Sequence, residues 1–422
     1  MKSSGRRFLW IAAHLLLAAA ASGQMRPPEP NPPYAPEPKN PRFRTAARPI
    51  PGRVAAPTTE WTLHKTADGA HPNGDEQQMM WLMNRARGHA DIEGIWLAHV
   101  RQSNVQFAMA YFSVLYQVLM DEFAARTNAP PGAFDSRLYV AASNHSAYLI
   151  SIDGQNHSNQ FTRVTDAGFH YTSARGSVYS YAEDALYGHA GFNVDWGGDD
   201  GTGMQTGRGH REGLMGSYSC TGIACVPETN GATTVGPMVI TIDYCNASTS
   251  YTNHFNRFIV GTVWNDLNTN SLYDAGEGIG SVTVMPDTGT YYAVTGDAGG
   301  YAIPVDSGTY QLTFSGGSLP SNIVKSVTAG ATNVLLDCPL HGDPPEAQWS
   351  VAIDASYGLT GTLNGQQKGY PYRLSACTNL EEGLWTWAGV LPSGHGTSLT
   401  YSVSMVDTNA EKRFLALQGW PY

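Results

Sequence analysis

Charged residues are scarce in this chain, at 14% of 422 positions, and the net charge of -10 leaves no basic patch beyond the extreme N-terminus. Nucleic acid is therefore excluded as a partner, because its binding needs clustered Lys and Arg. The polar residues match no HExxH or CxxC pattern, and GxSxG is absent around them, which disfavours the common zinc protease and serine hydrolase signatures.

A long apolar run that could cross a bilayer is also lacking. Lys2, Arg6 and Arg7 precede an apolar segment from Phe8 to Ala20, which small residues follow. That segment is short for a membrane span and is followed by prolines, so residues 1–23 are predicted to be a secretory signal peptide. We expect a secreted or cell-surface protein with no transmembrane span in the mature chain.

Cysteine is rare, and its number is odd. In an oxidising compartment some of the five are expected to pair, and we favour Cys220 with either Cys225 or Cys245 because the three are close in sequence. None shows the repeated short spacing of a zinc site. The five cysteines are Cys220, Cys225, Cys245, Cys338 and Cys377.

Glycine and proline are abundant instead, with 46 and 25 residues, which is typical of a turn-rich protein containing much β-structure. The length predicts two or three domains. Residues 24–74 open with a proline-rich run and are predicted to be a linker.

Helical patterns begin after this linker. The segment from Asp75 has an acidic start, a basic end and apolar residues at helical spacing, and Val105 to Arg126 is apolar enough for one long buried helix. A further helix is predicted after Asp135. His145 lies on its apolar face, so we interpret it as a hydrogen-bonded core histidine rather than a ligand.

Candidate chemical groups concentrate between Tyr179 and Met215. Glu183 lies in an aromatic run, Asp195 precedes a tryptophan, and His210 follows a glycine-rich loop, while His157 lies upstream in a polar loop. Carboxylates beside imidazoles can transfer protons or hold a divalent metal. The same groups could instead brace loops by hydrogen bonds, and the spacing alone leaves these alternatives open.

The ordered series NRAR, AASNHSAYL, NHSNQ, YAEDA, DWG, GHREGLM and VGPMVITIDY resembles the CAP superfamily, also called SCP or PR-1-like, in its bacterial secreted form. The resemblance covers a domain at residues 75–250. It implies an α-β-α sandwich whose cleft holds two histidines and two acidic residues. By this resemblance the catalytic candidates are His157, Glu183, Asp195 and His210, and His157 with His210 would bind Zn²⁺ or another divalent metal.

After residue 250 the pattern changes to alternating strands, which predict a β-sandwich at residues 257–340. This segment resembles the prealbumin-like, SdrD B-like modules of bacterial surface proteins. Its oxygen-bearing side chains are spaced as in an EF-hand loop, which favours Ca²⁺ over a simple Asn-rich turn. The predicted Ca²⁺ ligands are Asp266, Asn268, Asn270, Asp274 and Glu277.

Residues 346–422 are again strand-like and are predicted to form a small all-β domain. Trp385 and Trp387 could form a carbohydrate platform, although aromatics that alternate along a strand more often face a core. The predicted fold class is therefore α+β: a CAP-type sandwich, a β-sandwich module and a C-terminal β domain.

The sequence and its resemblances together predict an exported CAP-domain protein whose cleft binds or acts on an extracellular protein, lipid or polymer, with β modules for display or spacing. The alternatives are a metal-assisted extracellular hydrolase of peptides or wall polymers, and a non-catalytic structural or adhesion protein of the cell surface.

Overall fold

The computed structural model describes residues 56–100, 102–198, 200–229, 231–268, 270 and 272–340, and six strands between residues 348 and 418. The predicted signal peptide, the proline-rich start of the linker and Trp385 lie outside the described residues. No helix in the described part is long and apolar enough to span a membrane.

Helices dominate the first half of the described chain. The π-helix Gly191–Asp195 continues directly from the helix before it. The α-helices are α1 (Gly74–Gly88), α2 (Ala90–His99), α3 (Ser103–Tyr111), α4 (Tyr116–Ala124), α5 (Ser136–Ser151), α6 (Gln160–Asp166), α7 (Ala185–Ala190) and α8 (Gly209–Leu214).

The predicted start of α1 is confirmed, and a capping box explains it. The Asn73 side chain accepts a hydrogen bond from the Glu76 backbone N–H at 3.0 Å, and the Glu76 carboxylate accepts from the Asn73 N–H at 2.8 Å. These bonds satisfy two backbone donors that the helix itself leaves unpaired. Acidic residues in the first turn and arginines in the last also favour the helix dipole.

The prediction of one long helix from Val105 to Arg126 was wrong, because the chain breaks between α3 and α4. Ser113 adopts a left-handed φ of 55°, and the Leu115 N–H donates to the carbonyl of Thr202 at 2.9 Å. A Cβ on Gly203 would lie 2.3 Å from the Phe112 carbonyl oxygen. A distant loop therefore approaches the backbone here and supplies the hydrogen bond that helix continuation would have provided.

Helix α5 begins at its cap Asp135, as predicted, and carries His145 inward. The His145 ring is fully buried and its Nε2 donates to the Asn156 carbonyl at 2.9 Å. Burial lowers the pKa of His145 to about 4, which keeps the ring neutral. The interpretation of His145 as a core histidine is confirmed.

A four-stranded sheet in the order β2-β4-β5-β3 lies among these helices. Opposed residues share a face, so Val178 and Thr241 lie on the side of α5, while Tyr179 and Ile240 lie on the side of α7. Helices thus cover both faces, which explains why the central strands β4 and β5 are buried along most of their length. The strands are β2 (Ala133–Phe134), β3 (Tyr171–Ala182), β4 (Cys220–Pro227) and β5 (Met238–Ala247).

Residues 258–339 form two sheets around a common core, as their alternating pattern predicts. The core includes Ile259, Val284, Leu312 and Phe314. One sheet has the order β1-β8-β7-β10-β11, and in the other β6 is flanked by β12, β13 and β9. The strands are β1 (Thr59–Glu60), β6 (Phe258–Trp264), β7 (Val282–Pro286), β8 (Tyr291–Val294), β9 (Gly300–Pro304), β10 (Gly308–Gly316), β11 (Ile323–Ala329), β12 (Val334–Leu335) and β13 (Cys338–Pro339).

The assignment of a linker up to residue 74 needs correction, because its last part belongs to the fold. Strand β1 pairs in parallel with β8, and Trp61 is buried against Phe255 and Tyr291. The buried His64 ring bonds the carbonyls of Trp61 and Val294 at 2.7 and 2.9 Å. Two-residue strands carry no periodicity, so only the distant partner reveals this one.

The β-module packs directly on α1. The indole of Trp264 lies 5.7 Å from that of Trp81, and both belong to the same apolar cluster as Tyr273. The Gln77 amide donates to the Thr262 hydroxyl at 2.8 Å. The helical part and the β-module therefore share a core rather than being joined only by a tether.

The geometry of the cysteines separates the two favoured pairs. Cys220 lies directly opposite Cys245 across β4 and β5, whereas Cys225 lies opposite Ile240. Five positions along one strand span roughly 16 Å, well beyond disulfide reach, so a Cys220–Cys225 bond is excluded. Both Cys220 and Cys245 are buried free thiols in this structure.

The C-terminal strands form two antiparallel three-stranded sheets, in the orders β14-β15-β18 and β17-β16-β19, in line with the predicted all-β segment. The strands are β14 (Gln348–Ile353), β15 (Gly358–Asn364), β16 (Tyr372–Cys377), β17 (Thr386–Leu391), β18 (Ser398–Ser404) and β19 (Phe414–Gln418). Helices and strands in several sheets make the fold class α+β.

Candidate functional site

Asp195 and His210 form a buried carboxylate–imidazole pair. The His210 Nδ1 lies 2.7 Å from Asp195 Oδ1, and the His210 backbone N–H donates to Asp195 Oδ2 at 3.0 Å. Both side chains are fully buried. Because a carboxylate only accepts, the ring proton lies on Nδ1, and Nε2 is the atom of the neutral ring that carries a lone pair.

The backbone at Asp195 has an uncommon left-handed conformation, which hydrogen bonds from neighbouring segments stabilise. Asp195 ends the π-helix with a left-handed φ of 58°, and its carbonyl accepts from the Gln205 N–H at 2.6 Å. The buried Arg211 guanidinium donates to the carbonyls of Asn193 and Val194 at 2.5 and 3.2 Å. Arg211 thus satisfies carbonyls at the end of the π-helix and fixes the direction of the Asp195 side chain.

Glu122 on α4 forms ion pairs with two arginines beside His210. Its carboxylate pairs with Arg211 and, at 2.9 Å, with Arg208 in the loop before α8. The two arginines hold the pKa of Glu122 below its usual value, against the opposing effect of burial. These ion pairs tie α4, the π-helix and α8 together around His210, and the sequence offered no signal for them.

His157 lies in the loop before α6, half-buried. Its Nδ1 is 2.7 Å from Gln160 Oε1, and the Gln160 Nε2 donates to Asp243 Oδ1 at 2.8 Å. Asp243 is fully buried on β5, and burial raises its pKa to about 8. Sequence reasoning missed Gln160 and Asp243.

Glu183 follows the end of β3 and is exposed. Its Oε2 accepts from the Asn104 amide of α3 at 3.0 Å. The neighbouring Asp184 caps α7 by accepting from the Tyr187 N–H at 2.7 Å, and it also accepts from Asn104. The described contacts of Glu183 thus connect β3 to α3.

The described contacts join Asp195 to His210, whereas those of His157 and Glu183 are with Gln160 and Asn104. Within the described residues, no group of three or more His, Cys, Asp or Glu side chains is placed to hold a metal ion. His157 is linked through Gln160 to Asp243 on the α5 side of the sheet, whereas the His210 ring packs 5.7 Å from Phe192 in the apolar cluster on the α7 side. The described residues therefore do not bring the two predicted imidazoles into one cleft.

The predicted Ca²⁺ loop brings its oxygen-bearing side chains together around Asp274. Asp274 Oδ2 accepts from the amides of Asn268 and Asn270 at 2.7 and 2.6 Å. The Glu277 carboxylate accepts from the N–H groups of Leu267 and Asp274, both at 2.9 Å. The pKa of Glu277 is raised by burial and by the Asp274 carboxylate.

Asp266 completes this loop, because its Oδ1 accepts from the Asn270 N–H at 3.0 Å. The loop also touches the helical part, since the Gln78 amide of α1 donates to Asp274 Oδ1 at 2.7 Å. All five predicted ligands thus lie in one small region, beside the junction with α1.

Comparisons with known proteins identify no family. No protein-family model and no curated protein matches the chain. Among solved structures, a DUF3823 family protein from Bacteroides ovatus is 14% identical with a TM-score of 0.15, covering 39% of this chain and 91% of its own. A "putative carbohydrate binding protein" from Bacteroides uniformis is 16% identical with a TM-score of 0.15, covering 39% and 79%. TM-scores this low carry no functional argument.

Proposed function

We propose that this is an exported CAP-type protein that binds or acts on an extracellular target, and that the half-buried imidazole of His157 contributes to that site. The observation that carries the proposal is that Nδ1 of the His157 ring lies 2.7 Å from the side-chain oxygen of Gln160. A neutral ring that donates from Nδ1 carries its lone pair on Nε2, which is the usual arrangement of a metal-binding or proton-accepting histidine.

The layered architecture supports the CAP assignment. Helices cover both faces of the four-stranded sheet, as expected for an α-β-α sandwich. A divalent metal such as Zn²⁺ would use the half-buried imidazole of His157, with water or the target supplying further ligands, because neutral imidazoles are good zinc ligands. His210 is fully buried on the other face of the sheet and would not share that metal. A bound metal would polarise the target or activate water.

Zinc binding provides the direct test. We expect the purified mature chain to bind one Zn²⁺ in isothermal titration calorimetry and the half-buried His157→Gln variant to bind more than tenfold more weakly, as roughly expected when a ligand is lost. His99→Gln is the matched control, because His99 is also partly buried and its Nδ1 also donates, to the Ile95 carbonyl of its own helix at 2.8 Å. Equal affinities for the parent and His157→Gln, or no binding by the parent, would contradict the metal proposal.

A separate experiment distinguishes catalysis from binding. Glu183→Gln removes a charge and a proton acceptor while nearly preserving volume, and Glu183 is exposed, so the fold should persist. If the cleft is catalytic, this variant should lose turnover of a peptide or glycan substrate that the parent cleaves. A parent that turns over nothing in a broad panel would favour the non-catalytic binder.

The β-module adds a Ca²⁺ function to this proposal. Three carboxylates, Asp266, Asp274 and Glu277, lie in one loop with the amides of Asn268 and Asn270, and Ca²⁺ prefers hard oxygen ligands. In this structure the carboxylates accept from amides and backbone N–H groups and do not converge on one metal position, so binding would require them to turn towards the ion. Because Gln78 bonds Asp274, the ion would stabilise the loop that meets α1. The module would then display the CAP-type domain in a fixed orientation.

A further inference from the structure

A chain of three side chains runs from the protein surface to the centre of the sheet. His157 is half-buried, while Gln160, the first residue of α6, and Asp243 on β5 are almost completely buried. Hydrogen bonds of 2.7 Å and 2.8 Å link His157 to Gln160 and Gln160 to Asp243. The half-buried imidazole is thus connected to an acidic residue in the core.

The chemistry of these groups fixes the direction of each bond. Asp243 Oδ1 accepts from Gln160, so the amide nitrogen points to the sheet and the amide oxygen points to His157. An amide oxygen cannot donate, so the His157 Nδ1 must do so. Asp243 therefore acts on His157 through the orientation of one amide.

A glycine beside Asp243 in the sheet leaves space for the Gln160 side chain. Residues Gly176 and Gly222 lie directly opposite Asp243 on the two neighbouring strands. A Cβ on Gly176 would lie 2.5 Å from Gln160 Nε2, so the Gln160 side chain would have to move to accommodate it. Any larger residue at 176 would push Gln160 out of its bonding position.

The protonation of Asp243 is consistent with its accepting a hydrogen bond from Gln160. Its pKa is raised to about 8 by burial, so the carboxyl is neutral at pH 7 and its carbonyl oxygen can accept from the amide without an unpaired buried charge. The second oxygen of Asp243 has no hydrogen-bond partner among the described residues. A neutral acid tolerates that environment better than an ionised one.

We propose that Gln160 and Asp243 are positioning residues, which hold the His157 ring with its proton on Nδ1 and aim Nε2 at the ligand. The use of Nε2 by a metal or target rests on the proposed function, whereas the tautomer itself does not. In water a free neutral imidazole populates both tautomers, so a single Nδ1–H form is a specific consequence of this geometry.

The test is the tautomer of His157 in long-range ¹H–¹⁵N NMR spectra of the ¹⁵N-histidine-labelled chain, with the signal assigned by His157→Gln. We expect the parent to show a protonated Nδ1 and an unprotonated Nε2 at pH 7.5. Gln160→Met, which keeps the length and removes both polar atoms, should shift His157 to a tautomer mixture. Asp243→Asn keeps an accepting carbonyl and should preserve the parent pattern, whereas Asp243→Leu should not.

Thr241→Val is the matched structural control. Thr241 is buried two residues from Asp243 on the same face and accepts from the Ser146 hydroxyl at 2.8 Å, so its loss perturbs the same sheet without touching the chain. An Nε2–H form in the parent, an unchanged tautomer in Gln160→Met, or an equal change in Thr241→Val would overturn the proposal.

Zinc titration of the same variants separates this inference from the proposed function. Loss of an orienting partner typically weakens a metal site by about 10-fold to 100-fold, and we expect that of Gln160→Met. If the tautomer depends on Gln160 but no variant or parent binds zinc, the positioning role stands and the metal proposal fails. If zinc binds equally to the parent and Gln160→Met while the tautomer changes, positioning does not contribute to the site and that part of the inference is wrong.

Discussion

The acidic side chains of the helix-covered sheet and those of the β-module have different kinds of hydrogen-bond partners. Asp195 and His210 are fully buried and bonded to each other, so packing fixes them without a ligand. In the predicted Ca²⁺ loop, Asp274 accepts hydrogen bonds from the Asn268 and Asn270 amides, and the pKa of Glu277 is raised by burial and, to a smaller extent, by the Asp274 carboxylate. The first site is organised by the protein, whereas the second retains a local repulsion that a cation would relieve.

The two regions meet where α1 packs on the β-module. Trp81 contacts Trp264 there, and Gln78 bonds Asp274. A change in the loop can therefore be transmitted to the helical part through a shared apolar core and one polar contact. Four predictions test the difference between the regions, or the junction that joins them.

The largest effect is expected from Trp264→Ala at the junction. The Trp264 side chain is almost fully buried between Trp81 and Tyr273, so truncation leaves a cavity and should lower the free energy of unfolding by about 3–5 kcal/mol. Urea denaturation of the whole chain measures the change, with the exposed Leu267→Ala as control. A loss for Trp264→Ala as small as that of the control would mean that the two regions do not share a core.

Calcium should have the next largest effect. A ligand that binds only the folded state stabilises it by about 2.7 kcal/mol at a hundredfold excess over its Kd, so free Ca²⁺ should raise the Tm of the parent relative to chelator. Glu277→Gln should abolish most of that rise, because the variant loses a charged bidentate ligand. The carboxylate of Asp306 lies 3.9 Å from Arg257, so Asp306→Asn serves as an acidic control away from the loop.

Equal Tm values of the parent in Ca²⁺ and in chelator would return the loop to a simple turn. A Ca²⁺ response retained in Glu277→Gln would place the ion elsewhere. Either result would remove the proposed contrast between the Asp195–His210 pair, which the fold itself orders, and the Asp266–Glu277 loop, which a cation would order.

A smaller effect is expected in the pH dependence of stability. The folded-state pKa of Asp243 is raised to about 8, so the folded state keeps a proton that the unfolded state releases. Stability should therefore fall as pH rises from the unfolded pKa towards 8, and Asp243→Asn should flatten this slope. Melting curves between pH 6.5 and 8 measure this slope. The buried His64 and His145, with pKa values of about 4, change stability only at lower pH, where protonation of these rings destabilises the fold. Identical slopes for parent and variant would mean that Asp243 is ionised in the fold.

The smallest effect should come from the cap of α1. Asn73→Ala removes the acceptor for the Glu76 N–H and should lower the free energy of unfolding by about 1 kcal/mol, whereas Asn73→Asp keeps an acceptor and should be nearly neutral. Urea denaturation resolves the difference. A neutral Asn73→Ala variant would show that packing of α1 on the β-module, rather than capping, sets where the helix begins.

Much of the local structure could be predicted from sequence, because its causes are local. The charge pattern and cap of α1 lie within one segment, and the helical spacing of α5 indicated that His145 faces the core. The break at Ser113 could not be predicted, because its cause is the approach of Gly203 from a distant loop. Of the candidate site, the Asp195–His210 pair contains two residues that the resemblance had selected.

The sequence by itself determined the start of α1, the buried face of α5, the alternating strands and the spacing of the oxygen-bearing side chains in the predicted Ca²⁺ loop, since each depends on residues a few positions apart. Only the tertiary structure decided that β1 pairs with β8, that Cys220 faces Cys245, and that Gln160 reaches Asp243. These contacts join segments far apart in the chain, and they depend on sheet register and on the space left by glycines such as Gly176. No local pattern encodes such a register, because it is fixed only when the whole core packs.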